Sequence, residues 1–319
     1  MTWIVIATED GLRRSMFTHL DRLAAAHPDG IPSSLINSFI YAGQPQRLIV
    51  QPGIWKPKHL SAALSIRTTF ARSPADRPYQ DEVGADGLMR YKYRGTDPNH
   101  ADNRALRSAL QQGAPLVYFV GVAKSVYQAI YPVFLLTEEA AEHQFVVGID
   151  EQQALLPALR GPEPAAARKY AQRLLKLRLH QPIFRARVLR AYGSSCAMCG
   201  LHLPQLVEAA HILSDSHPRG EPVVPNGLAL CKIHHAAFDA NILGVRPDLI
   251  IEVRPDILSQ TGGPMFKYGL QETHGTRLQV PHQVSARPDP ARLEERYLEF
   301  RRQPSVTTAV ARWGPAGSR

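Results

Sequence analysis

The chain has 319 residues, 44% of them hydrophobic, which is ample for packed cores and long for one domain of roughly 100 to 200 residues. Thirty-seven Lys and Arg against 28 Asp and Glu leave a formal charge of +9 and a pI near 9.6, a balance that favours a polyanionic partner. No apolar run approaches the roughly 20 residues of a membrane span, and the start, Met-Thr-Trp-Ile-Val-Ile-Ala, lacks the basic region and cleavage site of a signal peptide, so a cytoplasmic protein without membrane contact is expected.

Residues 1–155 alternate short apolar runs with turn residues, and the runs read as strands: Ile-Val-Ile-Ala at the start, Ser-Phe-Ile-Tyr41-Ala-Gly43, Arg47-Leu-Ile-Val, Pro115-Leu-Val-Tyr-Phe-Val-Gly-Val and Ile130-Tyr-Pro-Val-Phe-Leu-Leu. Helical spacing is found at residues 12–26 and 103–111, the second with Asp102 or Asn103 placed to cap its start. An α+β domain with a curved sheet or barrel follows from this order.

Gly161-Pro-Glu-Pro164 breaks the pattern, and residues 165–191 then carry eight Lys or Arg and no Asp or Glu. This stretch, within a connector over 156–191, predicts two helices divided at Pro182, with Tyr170, Leu174, Leu177, Val188 and Leu189 on the buried side. Its uncompensated charge suits either a solvated face or one that tracks phosphates.

All three cysteines fall in one 44-residue window: Cys196-Ala-Met-Cys199, Glu208-Ala-Ala-His211, Asn226-Gly-Leu-Ala-Leu-Cys231 and Lys-Ile-His234-His235-Ala-Ala-Phe-Asp239. Three thiols cannot pair off as disulfides, and a Cys-x2-Cys pair followed after 31 residues by Cys-x2-His has the spacing of two knuckles around one tetrahedral zinc. Around them, Leu206 to Ile212 reads as a strand, Leu228 to Leu230 as its hairpin partner and residues 232–240 as a helix. On that helix His235 and Asp239 are spaced i, i+4, so their side chains emerge on one face and can grip one cation, with His211 facing them from the strand. A last helix starts at Pro290, and the tail 303–319 is expected to be disordered.

These motifs resemble the HNH, or ββα-metal, nucleases, in the branch with Ala-Ala-His-Ile, Asn-Gly-Leu and His-His-x-x-Phe-Asp. The resemblance implies His211 as the general base, Asn226 as the residue that orients it, and His235 and Asp239 as holders of a catalytic divalent ion, Mg²⁺ or Mn²⁺. It implies Cys196, Cys199, Cys231 and His234 as ligands of a structural Zn²⁺. Hydrolysis of a phosphodiester needs a nucleophile made from water and neutralisation of growing phosphate charge, which an imidazole and a metal clamp supply. Ala210 stands where many relatives carry a ligand, and Glu208 falls on the opposite pleat from His211, which reads as structural. His217, His274 and His282 are isolated and carry no assigned role.

In the first domain, Tyr79-Gln-Asp81 to Tyr91-Lys-Tyr93-Arg94-Gly95, then Asn103-Arg-Ala-Leu, Gly113-Ala-Pro-Leu-Val-Tyr118 and residues 127–136 resemble the SRA (PUA-like) domains that flip modified cytosine out of DNA. Such a reader needs aromatic faces and a few polar groups. Tyr41, Asp81, Tyr93, Arg94 and Asn103 are the candidates, and Trp55 sits either on a groove-entering loop or in a core. The whole chain then reads as a reader domain over 1–155, the connector, and an HNH nuclease over 192–302. It would be a metal-dependent endonuclease of double-stranded DNA carrying 5-methyl- or 5-hydroxymethylcytosine, acting in restriction and plausible as a homodimer. A nuclease that reads unmodified sequence or another mark, and a zinc-stabilised DNA-binding protein that does not cut, are the alternatives.

Overall fold

The computed structural model describes residues 8–70, 83–84, 86–150 and 165–302, without the side chains of 165–168. The chain divides into two compact units, Met1–Ala186 and Arg187–Arg319. The expected strand before Thr8, Tyr79, Asp81, the Gly161–Pro164 break and the 303–319 tail lie outside the described residues.

The first unit opens with helix α1 (Glu9–Ala26). Thr8 caps it by accepting a hydrogen bond from the Gly11 amide, and Glu9 and Asp10 sit at its positive end. Leu12, Met16 and Leu20, four residues apart, are buried on one face. After β1 (Ile31–Pro32), a one-turn helix α2 (Ser33–Ile36), and a two-residue hairpin β2 (Ile40–Tyr41) and β3 (Gln44–Pro45), come β4 (Ile54–Trp55), β5 (Ser65–Thr68), β6 (Met89–Lys92), α3 (Ala101–Gln112), β7 (Leu116–Ala123), β8 (Val126–Glu139) and β9 (Gln144–Gly148). The sheet runs β4-β5-β7-β8-β9-β6, with β1 beside β8. β5 and β7 are parallel and the other pairs antiparallel.

β7 is buried on both faces, and its alternating side chains divide between two cores. Val117 and Phe119 pack with Leu12, Met16 and Leu20 of α1, while Leu116, Tyr118 and Val120 pack with Ala105, Leu106 and Ala109 of α3. The long β8 pairs with β7 through its first half and β9 through its second, with register shifts along both ladders, so the sheet curls along this strand. Its far ends are tied: the Tyr91 hydroxyl of β6 donates to the Arg67 carbonyl of β5 at 3.1 Å.

Three local expectations are corrected. Residues 47–50 form no strand; Leu48 and Ile49 are buried, but their amides donate to the Asn37 side chain, which holds the segment as an ordered loop. The cap of α3 is His100, whose Nδ1 accepts from the Asp102 amide, because Asn103 is drawn inside the helix to bond the backbone of Arg94 and Asp97. The connector forms α4 (Ala165–Leu175) and α5 (Gln181–Ala191) joined by a π-helical turn, Lys176–His180. Leu175 and Leu179 enter the core of the first unit, whereas Tyr170 and Leu177 are exposed. Some of this charge serves internally: Arg178 pairs with Asp150 at 2.9 Å, and Arg185 donates to the Pro28 carbonyl.

In the second unit β10 (Val207–His211) and β11 (Gly227–Cys231) pair antiparallel, with Glu208 opposite Leu230 and His211 opposite Gly227, and lead into α6 (Lys232–Asp239). A second hairpin, β12 (Leu243–Val245) with β13 (Ile251–Val253), and helices α7 (Pro255–Leu258), α8 (Pro264–Gly269) and α9 (Pro290–Arg302) complete it. Its core joins Ala210, Leu228, Leu230 and Phe238 of the β-β-α unit to Leu243, Val253 and Leu293. Arg296 anchors α9: its guanidinium lies over the Phe238 ring and donates to the Phe238 carbonyl at the end of α6.

Candidate active site

Four ligand-type side chains gather at the base of the β-β-α unit. The ligand atoms of Cys196, Cys199, Cys231 and His234 all lie within 4.8 Å of one another. The first knuckle turns through Gly200, at φ +71°, with the Gly200 amide bonded to the Cys196 carbonyl. Cys231 caps α6 and brings His234 round in its first turn.

His234 Nε2 is 2.8 Å from the Gly269 carbonyl. A carbonyl only accepts, so Nε2 carries the proton and Nδ1 points its lone pair at Cys196 Sγ, 3.4 Å away, and Cys231 Sγ, 3.2 Å away. Vertices roughly this far apart suit a tetrahedron with bonds of about 2.0 to 2.3 Å. The thiols oppose one another's ionisation: the contact with Cys231 pulls the Cys196 thiol well below the ordinary thiol range, and that same contact pushes Cys231 up. A cation is what would let all three ionise together. The donor set therefore fits zinc.

Above the cluster, His211, His235 and Asp239 line one open depression with Ser214, Asp215 and His217 of the following loop and Glu295, Arg296 and Glu299 of α9. His211 Nε2 is 3.1 Å from Asp215 Oδ1. His235 Nε2 is 3.4 Å from Asp239 Oδ2, and its Nδ1 is 2.9 Å from Glu208 Oε2. Asp239 is largely exposed, as a group meeting a solvated ion must be. Ala210 is fully buried in the core, so that position supplies no ligand.

Asn226 is fully buried, and its side-chain hydrogen bonds go to the loop that follows His211. Its Oδ1 accepts from the Leu213 amide at 3.0 Å, and its Nδ2 donates to the carbonyls of Leu213 and Glu221. The same loop closes at Gly220, where an added Cβ would lie 1.9 Å from the Ser214 carbonyl oxygen.

Residues 196–246 match the family described as HNH endonuclease, HNH_2. The second unit carries an HNH endonuclease domain. The match spans both knuckles, the hairpin and α6, which supports DNA endonuclease chemistry in this domain. No curated protein matches the chain. A solved structure of a "Modification dependent TagI restriction endonuclease" is similar over 86% of this chain and 93% of that one, at 18% identity and a TM-score of 0.29, a score too low to bear on the fold.

Within the HNH domain, Asp215 was not singled out by sequence, Glu208 was read there as structural, and His217 was given no role. His217 reaches Glu295 of α9 at 2.9 Å on the rim of the depression. In the first unit a cavity of about 150 Å³ opens between the two ends of the curled sheet, lined by Gln51 to Ile54, Arg67, Thr68 and Thr69 on one side and Tyr91 to Arg94 on the other. Tyr93 and Arg94 thus share a cavity. Tyr93 is otherwise a core residue, with its hydroxyl on Glu138, and Arg94 is paired with Asp102 at 2.5 Å. Asn103 supports the wall from behind by bonding the Arg94 backbone. Tyr41 lies away from the cavity, packed beside α1. Trp55 lines a neighbouring depression, its indole donating to the Arg47 carbonyl.

Proposed function

We propose that this protein is a metal-dependent restriction-type endonuclease that cuts DNA carrying a modified cytosine. The carrying observation is the convergence of His211, His235 and Asp239 on one depression of the HNH domain. His211 takes the proton of the attacking water, and Asp215, 3.1 Å away, stabilises the imidazolium that forms. Asn226 holds the loop from Ile212 to Glu221 so that Asp215 stays beside His211. His235 and Asp239 fit a divalent ion, with an imidazole nitrogen and a carboxylate oxygen aimed at the same open space. Such an ion, Mg²⁺ or Mn²⁺, supplies neutralisation of the charge that develops on the phosphate and leaving oxygen. Cys196, Cys199, Cys231 and His234 hold zinc and give the base and metal ligands a rigid floor.

The first unit is the reader in this proposal. Its 150 Å³ cavity is of the size that accepts a single six-membered ring. Tyr91 and Tyr93 offer aromatic walls, and Gln51, Arg67, Thr68 and Thr69 offer donors and acceptors for a base edge. A homodimer would present one HNH domain to each strand.

The deciding experiment cleaves one plasmid in matched unmodified, 5-methylcytosine and 5-hydroxymethylcytosine forms with Mg²⁺ or Mn²⁺, alongside His211→Ala. Cutting confined to modified DNA and abolished by the substitution is expected. Equal cutting of all forms would remove the modified-base reader, and cutting of none with any ion would remove the assigned chemistry.

A further inference from the structure

Resting on the reading of His235 and Asp239 as a metal pair, we infer that Glu208 is the positioning residue that sets the tautomer of His235 and aims its Nε2 at the ion. Glu208 comes from β10, where it is paired with Leu230, and its Oε2 meets His235 Nδ1 at 2.9 Å. An ionised carboxylate has no proton to give, so the hydrogen lies on Nδ1. A neutral imidazole has one N–H, and Nε2 is left with its lone pair.

That lone pair faces Asp239 Oδ2 at 3.4 Å. Two acceptors turned toward each other repel unless a cation lies against both. The two carboxylates therefore have different tasks on one ring. Asp239 lines the depression with His211 and His235, whereas Glu208 does not and approaches the ring from its other nitrogen. Glu208 is not there for packing, since 39% of its side chain is exposed.

Its importance follows from Ala210. With that side chain in the core, the ion depends on His235 and Asp239, and the orientation and basicity of the imidazole become decisive. A carboxylate behind a ligating histidine raises both. Glu208 touches neither ion nor substrate in this scheme.

The test uses the full-length, zinc-loaded protein and Mn²⁺ alone as probe. Mn²⁺ binding is followed by calorimetry or by loss of the free-ion spin-resonance signal, with zinc content and thermal melting as controls. Glu208→Ala is expected to weaken Mn²⁺ binding by roughly 10- to 100-fold with zinc unchanged, and Glu208→Gln, which keeps an acceptor oxygen for Nδ1–H, to lie closer to wild type than to the alanine variant. Mn²⁺ affinity unchanged in Glu208→Ala overturns the inference. His235→Ala separates the two levels: if it also binds Mn²⁺ normally, the metal-pair reading itself fails. The wild-type protein provides a check that does not depend on a variant folding. A long-range ¹H–¹⁵N spectrum of ion-free protein near pH 8, above the usual imidazole range, should show His235 protonated on Nδ1, and protonation on Nε2 overturns the inference.

Discussion

In the proposed mechanism Asn226 governs catalysis without meeting substrate. Its buried carboxamide forms a two-way bond with the Leu213 backbone and a third, part-buried bond to the Glu221 carbonyl. Asn226→Ala strands those groups, a cost of about 1–3 kcal/mol, and frees the loop that carries Asp215. Denaturant unfolding should report that loss, and single-turnover cleavage should fall further than stability alone explains. Asn226→Asp still accepts from the Leu213 amide but cannot donate to the carbonyls, so it should lie between the two. Gly220 makes a second prediction on the same loop. A methyl group there would meet the Ser214 carbonyl at 1.9 Å, so Gly220→Ala must move the backbone beside Asp215. Cleavage is expected to fall sharply while bound zinc, measured by elemental analysis, stays at the wild-type level. At this scale the residue types at the depression were legible, because His211, His235 and Asp239 have spacings that only a hairpin and helix bring together. Glu208 was not. Strict alternation puts it opposite His211, but burial on β10 falls at Val207 and Ala210, three apart, and a strand so irregular gives α6 access to Glu208 as well.

Among the elements, the β-β-α unit was the most legible because metal-ligand spacing constrains topology more tightly than hydrophobic pattern does. The connector was less so. Its apolar residues fit an ordinary helix face through Tyr170 and Leu177, yet the buried stripe is Ala171, Leu175 and Leu179, and a π turn at Lys176–His180 widens the helix where it meets the next one. Nothing in local propensity announces such a turn; it is selected by packing. For the β-β-α unit the packing alone is thin, and its ends converge on four ligand atoms within 4.8 Å. Stripping the metal with a strong chelator should therefore release about one zinc per chain and remove the cooperative melting of the second unit, leaving the helix- and sheet-based core of the first unit folded. Calorimetry before and after chelation checks this. Melting of the second unit that is unchanged after complete zinc loss would mean that the apolar contacts among Phe238, Leu243, Val253 and Leu293 suffice without it. Cys196→Ser should mimic the chelator, since Cys196 is fully buried and a hydroxyl is a poor zinc ligand.

For the molecule as a whole, the strands of the first unit were readable one by one, but the closure of its sheet was not, because it depends on β6 meeting β5 across the full width of the sheet through the Tyr91 hydroxyl. The cavity exists only through that closure, which is why Arg67, Gln51 and Thr68 carried no signal in the chain. In the proposed reader, Arg67 is the residue on which recognition and shape would both turn. Its guanidinium donates to the Tyr127 hydroxyl at 3.0 Å and to the Gln51 carbonyl at 2.5 Å, and it borders both the cavity and the adjoining depression that holds Trp55. Because Arg67 belongs to the first unit and His211, His235 and Asp239 to the HNH domain, recognition and chemistry are separable by substitution. Arg67→Ala should lower the ratio of cleavage rates on modified and unmodified plasmid at least tenfold, about 1.4 kcal/mol of discrimination, while Mn²⁺ affinity and zinc content hold at wild-type values. His211→Ala should do the reverse, leaving preferential binding to modified DNA intact in a gel-shift measurement and abolishing cleavage. If Arg67→Ala retained the full preference, the cavity between the sheet ends would not be where the mark is read, and the reader would have to be sought on another face of the first unit.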